Sequence, residues 1–200
     1  MNILRPIKQN VWRWTWYSEE KEMEFNGYMV KLPKSLILID PPPGSDEIWG
    51  EIETVGKPAT ILLTNKDHER ESDALRKRFG AKILIHQDEA ELLKNKPDGT
   101  FGDEDTVADT LKVVRMKGLK SPAECAFFWP ARKILFVGDA VAGHPEGKLS
   151  LVKKHQDNPE VPKALKALLD LDFDGLLVGD GEPFLNGGKN ALTNFVEASV

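Results

Sequence analysis

The sequence predicts a soluble α/β chain with a two-layer sheet core and helices outside. Three observations predict it. Apolar runs of four to six residues recur along the whole chain and end at turn-forming residues, which marks them as strands. They fall into two blocks, before residue 40 and from about 111 to 137, each followed by alternating strand and helix patterns. The composition, 40% hydrophobic and 30% charged, is that of a globular protein with a sizeable core.

The first block opens with Val11-Trp12-Arg13-Trp14-Thr15-Trp16, whose period of two puts three indoles on one face, either against a core or with one lining a ligand. Asn26-Gly27 is a hairpin-turn signal before Tyr28-Met29-Val30. Leu36-Ile37-Leu38-Ile39 is a strand closed by Asp40 and the Pro41-Pro42-Pro43-Gly44 run. Ser45 caps a helix reaching about Val55, with Asp46 and Glu47 at its positive end. Strands are expected at Thr60–Leu63 and Lys82–Ile85, and helices at Glu71–Phe79, stopped by Gly80, and at Asp88–Lys94. The second block places strands at Leu111–Arg115, Glu124–Trp129 and Lys133–Val137. A helix at Pro162–Leu171, a strand at Gly175–Val178 and a helix at Asn190–Ala198 complete the chain. The stretch from Ala142 to Pro159 reads as one long loop.

Charge and cysteine usage narrow the function classes. The net charge of −5, with both signs interspersed, argues against a nucleic-acid partner. No apolar run approaches the roughly 20 residues that span a bilayer, and the N-terminus lacks a signal-peptide pattern. A cytoplasmic protein with no membrane partner is the expectation. Cys125 is the single cysteine and reads as a buried strand thiol rather than a nucleophile.

Four segments at strand ends carry a family resemblance. They are the hairpin ending in Asp40; Ile61-Leu62-Leu63-Thr64-Asn65-Lys66-Asp67-His68-Glu69-Arg70; Gly118-Leu119-Lys120-Ser121-Pro122-Ala123-Glu124 followed by Val137-Gly138-Asp139-Ala140; and Leu176-Leu177-Val178-Gly179-Asp180-Gly181. In this order they resemble the metallo-β-lactamase superfamily. The resemblance implies a four-layer αββα sandwich, two mixed β-sheets flanked by helices, as one domain over residues 1–200. It implies hydrolase ancestry and a metal-site cleft in which the ligand histidines are replaced. Asn65 and Asp67 stand for the first two histidines of the His-x-His-x-Asp-His motif, Glu69 for its aspartate and Arg70 for its last histidine. Lys120 stands for the histidine of the proline-containing turn and Asp180 for the final one, while Asp139 keeps the bridging carboxylate.

Zinc hydrolases need neutral imidazoles and carboxylates around a bound hydroxide. Cations at two ligand positions repel a divalent metal and neutralise neighbouring carboxylates, so the expected site is an ion-pair network of Arg70 and Lys120 with Asp67, Asp139 and Asp180. No catalytic residue is assigned and no cofactor is expected. A ligand-binding or structural cleft is the leading function, with a small molecule as partner. Two alternatives stay open: a hydrolase using one magnesium, calcium or manganese ion on Asn65, Asp67, Asp139 and Asp180, and a non-catalytic interaction module. His68 falls on an x position of the motif, where a solvent or capping role is expected. His86 is expected to be structural, and His144 and His155 to be solvated.

Overall fold

The computed structural model describes residues 3–198, the side chain of Lys154 excepted. The chain divides into two compact units, residues 1–101 and 102–200.

The first unit contains strands β1 (Arg5–Lys8), β2 (Val11–Ser18), β3 (Met23–Lys31), β4 (Leu36–Ile39), β5 (Thr60–Leu62), β6 (Lys82–His86) and β7 (Gly99–Phe101), and helices α1 (Asp46–Val55) and α2 (Ser72–Phe79). They pair in chain order, antiparallel from β1 to β4 and parallel from β4 to β7. Strands β4, β5 and β6 are almost continuously apolar, as parallel strands covered on both faces must be. Both helices have the predicted ends. The Ser45 hydroxyl accepts a hydrogen bond from the Ile48 amide, and Asp46 and Glu47 occupy the positive end of α1. Gly80 closes α2 in the left-handed conformation, its amide donating to the Arg76 carbonyl. Ile48, Trp49 and Ile52 of α1 and Leu75 and Phe79 of α2 share a core with Leu38, Ile61 and Ile83.

The second unit contains β8 (Thr106–Val107), β9 (Leu111–Arg115), β10 (Cys125–Trp129), β11 (Ile134–His144), β12 (Lys148–Ser150) and β13 (Gly175–Gly181), and helices α3 (Val161–Leu168) and α4 (Gly188–Ala198). Strands β8 to β11 are antiparallel neighbours, β13 runs parallel to β11, and β12 folds back on the end of β11. Helix α3 buries Val161, Ala164, Leu165 and Leu168, and α4 buries Leu192 and Val196, all against Leu135, Val137, Leu176 and Val178.

Three sequence expectations are corrected. Asn26-Gly27 is not a turn but lies inside β3, and the reversal falls at residues 19–22. Gly27 is there for close approach: a Cβ would lie 2.4 Å from Pro42 Cδ and 2.5 Å from the Trp14 ring. Asp88–Lys94 is not an α-helix; a 3₁₀ segment covers Gln87–Leu92. The long loop from Ala142 is structured by the end of β11, by β12 and by a 3₁₀ turn at Lys153–His155. Short strands β7 and β8, two or three residues each, carry too little pattern to be seen in sequence.

Candidate functional site

In the first unit the motif loop leaves β5 at Leu62 and is shaped by its own polar side chains. Asn65 is buried, and its side-chain oxygen accepts from the Asp67 amide, capping a 3₁₀ turn at Lys66–His68. Asp67 is half exposed and bonded to the neighbouring Lys66 ammonium. The Glu69 carboxylate accepts from the Lys94 amide at 2.8 Å and from the amide and side chain of Asn95 at 2.8 and 3.0 Å. It therefore holds the 94–95 segment. Arg70 adopts φ 30° and lays its guanidinium over the Phe25 ring, 4.3 Å from the centroid.

His68 corrects the expectation of a solvent role. It is 1% exposed, and its Nδ1 lies 2.9 Å from Asp40 Oδ2 and 3.0 Å from Thr64 Oγ1. Asp40 also accepts from the Thr64 amide at 2.8 Å and from the Thr64 hydroxyl at 2.6 Å. A carboxylate only accepts, so Nδ1 carries the hydrogen toward Asp40. Thr64 was not foreseen as part of a site; its spacing of four from His68 is the one signal in the sequence. His86 is buried, accepts from the Asp88 amide and meets Phe101 edge-on, as a structural histidine does.

In the second unit the candidate carboxylates lie on the parallel pair β11 and β13. The ladder is regular from Ile134 to Val137, then resumes at Ala142 opposite Asp180. Five steps on β11 thus match two on β13, and the bulged residues include Asp139. The buried Glu124 carboxylate accepts from the Asp139 amide at 3.0 Å and so pins the bulge. Asp139 and Asp180 are both nearly buried. Lys120 sits exposed in the turn before β10. Cys125 is buried, with its thiol 3.2 Å from the Ala123 carbonyl. His144 is exposed and bonded to Ser150, at the rim of a hollow of about 300 Å³ lined by Pro145, Glu182 and Phe184. His155 is not solvated but fully buried.

Two further expectations are corrected by these placements. Arg70 and Lys120 enter no ion pair among the described residues, so neither anchors the expected network. Arg70 stacks on an aromatic ring instead, and Lys120 faces solvent.

The donor set of the motif loop does not fit zinc. It carries a single imidazole, its Glu69 carboxylate already accepts from three N–H donors, and Arg70 brings a fixed cation to a ligand position. Among the described residues no three His, Cys, Asp or Glu side chains are grouped so as to hold a metal ion.

Comparison with known proteins agrees with the fold. A family model described as the metallo-beta-lactamase superfamily matches residues 3–199. No curated protein matches the sequence significantly. Among solved structures, a metallo-beta-lactamase from Pontibacter korlensis is 17% identical with a TM-score of 0.79, covering 100% of both chains. The DIM-1 metallo-beta-lactamase is 15% identical with a TM-score of 0.79, covering 100% of this chain and 98% of its own. The FIM-1 enzyme from Pseudomonas aeruginosa, in its mono-zinc form, is 15% identical with a TM-score of 0.76, over 99% and 96% of the two chains. At these identities the likeness shows the mixed α/β fold, as expected from the sequence. With the family model matching nearly end to end, the chain belongs to the metallo-β-lactamase superfamily.

Proposed function

We propose that this member of the superfamily does not carry out zinc-hydroxide hydrolysis, and that its former metal-ligand loop serves as a structural brace in a protein that binds a small molecule. The commitment of the loop's side chains supports this reading above all. Glu69 spends its oxygens on three N–H groups, and His68 is sealed against Asp40 and Thr64. Three N–H groups take up most of the acceptor capacity that Glu69 would offer a metal, and Arg70 sets a fixed cation beside it. Without a bound metal, the pKa of water is not lowered toward neutrality. The acidic net charge of −5 favours neither nucleic acid nor an anionic membrane surface as a partner.

The test is elemental analysis of protein prepared without chelator and then supplied with zinc, magnesium and manganese separately. The expected result is no stoichiometric metal, with no metal-stimulated turnover of lactam, thioester or phosphodiester substrates. One or two zinc ions per chain, or turnover abolished by chelator and by Asp139→Ala, overturns the proposal.

A further inference from the structure

Arg70 is a polar group without a counterpart. Its guanidinium lies 4.3 Å from the Phe25 centroid, and its Nη1 is shut off from solvent with no hydrogen-bond acceptor. Stacking on a ring engages the face of the guanidinium and leaves its five N–H groups pointing outward in the plane. Those donors are in place and unused. The backbone at Arg70 takes a positive φ of 30°, a conformation that favours glycine, so the side chain is held there against local preference.

The surroundings are preorganised within the first unit. Trp16 stacks on Phe25 at 5.9 Å, and the Lys21 ammonium lies 5.7 Å from the same Phe25 centroid. Among the described residues Lys21 forms no ion pair, although Glu19, Glu20 and Glu22 flank it; all three are exposed. Three carboxylates close to the pair in sequence are engaged: Glu24 with Arg13, Asp67 with Lys66, and Glu69 with residues 94 and 95. Two cations, neither in an ion pair among the described residues, therefore share one aromatic ring.

We propose that Arg70, stacked on Phe25 and assisted by Lys21, is the oxyanion-recognition point of this protein, taking the carboxylate or phosphate group of a small molecule. A guanidinium fork matches either group with two parallel N–H···O bonds, and an oxyanion supplies the acceptor that Nη1 lacks. Only first-unit residues are used, so the inference stands apart from the question of hydrolysis.

The experiment titrates inorganic phosphate and benzoate separately into the whole chain at fixed ionic strength, reading tryptophan fluorescence and thermal shift. At least one anion is expected to bind saturably, and comparing the two distinguishes a phosphate from a carboxylate ligand. Arg70→Lys keeps the charge but loses the fork, and should weaken binding about tenfold. Lys21→Gln, on an exposed turn, should fold normally and weaken binding by roughly two- to fivefold. Binding of neither anion overturns the proposal, as does binding that both variants leave unchanged.

Discussion

Replacing Asp40 by alanine is the most direct probe of how the motif loop is held. Asp40 is 2% exposed and accepts from the Thr64 amide, the Thr64 hydroxyl and the His68 ring. In Asp40→Ala the hydroxyl can turn to His68 Nδ1, 3.0 Å away, if the ring changes tautomer. The Thr64 amide has no such recourse, and a buried orphan donor costs about 1–3 kcal/mol. Asp40 also has φ 48°, which a residue with a Cβ and no local hydrogen bond adopts at a cost of about 1–2 kcal/mol. Together these give about 2–4 kcal/mol, allowing for partial relaxation. Asp40→Asn keeps an oxygen for the Thr64 amide and tolerates positive φ, so about 1–2 kcal/mol is expected. For a chain of this length each kcal/mol lowers Tm by roughly 2–4 °C. Thermal and urea unfolding of both variants reads the difference. If Asp40→Ala melts with the parent, or Asn costs as much as Ala, the account of a sealed Asp40–Thr64–His68 cluster is refuted.

Gly143→Ala should prevent folding or cost about 3 kcal/mol or more, because its Cβ would meet the Glu182 carbonyl oxygen at 1.8 Å and neither backbone can yield. Gly147→Ala meets nothing within 4 Å and carries only the cost of its φ of 71°, about 1 kcal/mol; expression and melting of the two variants check the contrast. Glu69→Ala strands three N–H groups in a partly buried setting and should cost about 1–3 kcal/mol, whereas Glu69→Gln, keeping one acceptor, should cost less in urea unfolding. In acid, Asp73 is held below the ordinary carboxylate range by its hydrogen bonds to Lys77 and then Arg76, and Asp172 by its bond to Lys133. A depressed folded pKa means stabilisation that is full above the unfolded value, near 3.9, and is lost as pH falls through the folded value. The double variant Asp73→Asn, Asp172→Asn should therefore differ from the parent at neutral pH and converge with it in strong acid, as followed by unfolding at several pH values.

The sequence made the regular elements legible because their signals are local. Ser45 before α1, Gly80 after α2 and the apolar runs of β4, β5 and β6 each mark an element through nearest neighbours. Asn26-Gly27 misled for the opposite reason: the need for glycine at 27 comes from Trp14 and Pro42, far away in sequence. The strand simply continues, and the turn is made by Glu19–Glu22 with Glu22 at φ 52°. The motif loop was located by its order among strand ends, but its side-chain partners were not. Register put His68 off the ligand row and left open what it would touch. Only the fold brings Asp40, 28 positions earlier, into contact with it. Likewise, charge counting paired Arg70 with carboxylates, whereas the folded chain offers it the ring of Phe25.

The Trp14–Gly27 contact also constrains how this chain can diverge. The indole occupies the volume that a side chain at 27 would fill, while its Nε1 donates to the Pro42 carbonyl at 3.3 Å. Positions 14 and 27 are facing partners on β2 and β3. A mutation at either one alone leaves a void or a clash, so exchange between large-small and small-large pairs requires two steps through an unfavourable intermediate. Across descendants of this sequence the two positions should change together or not at all.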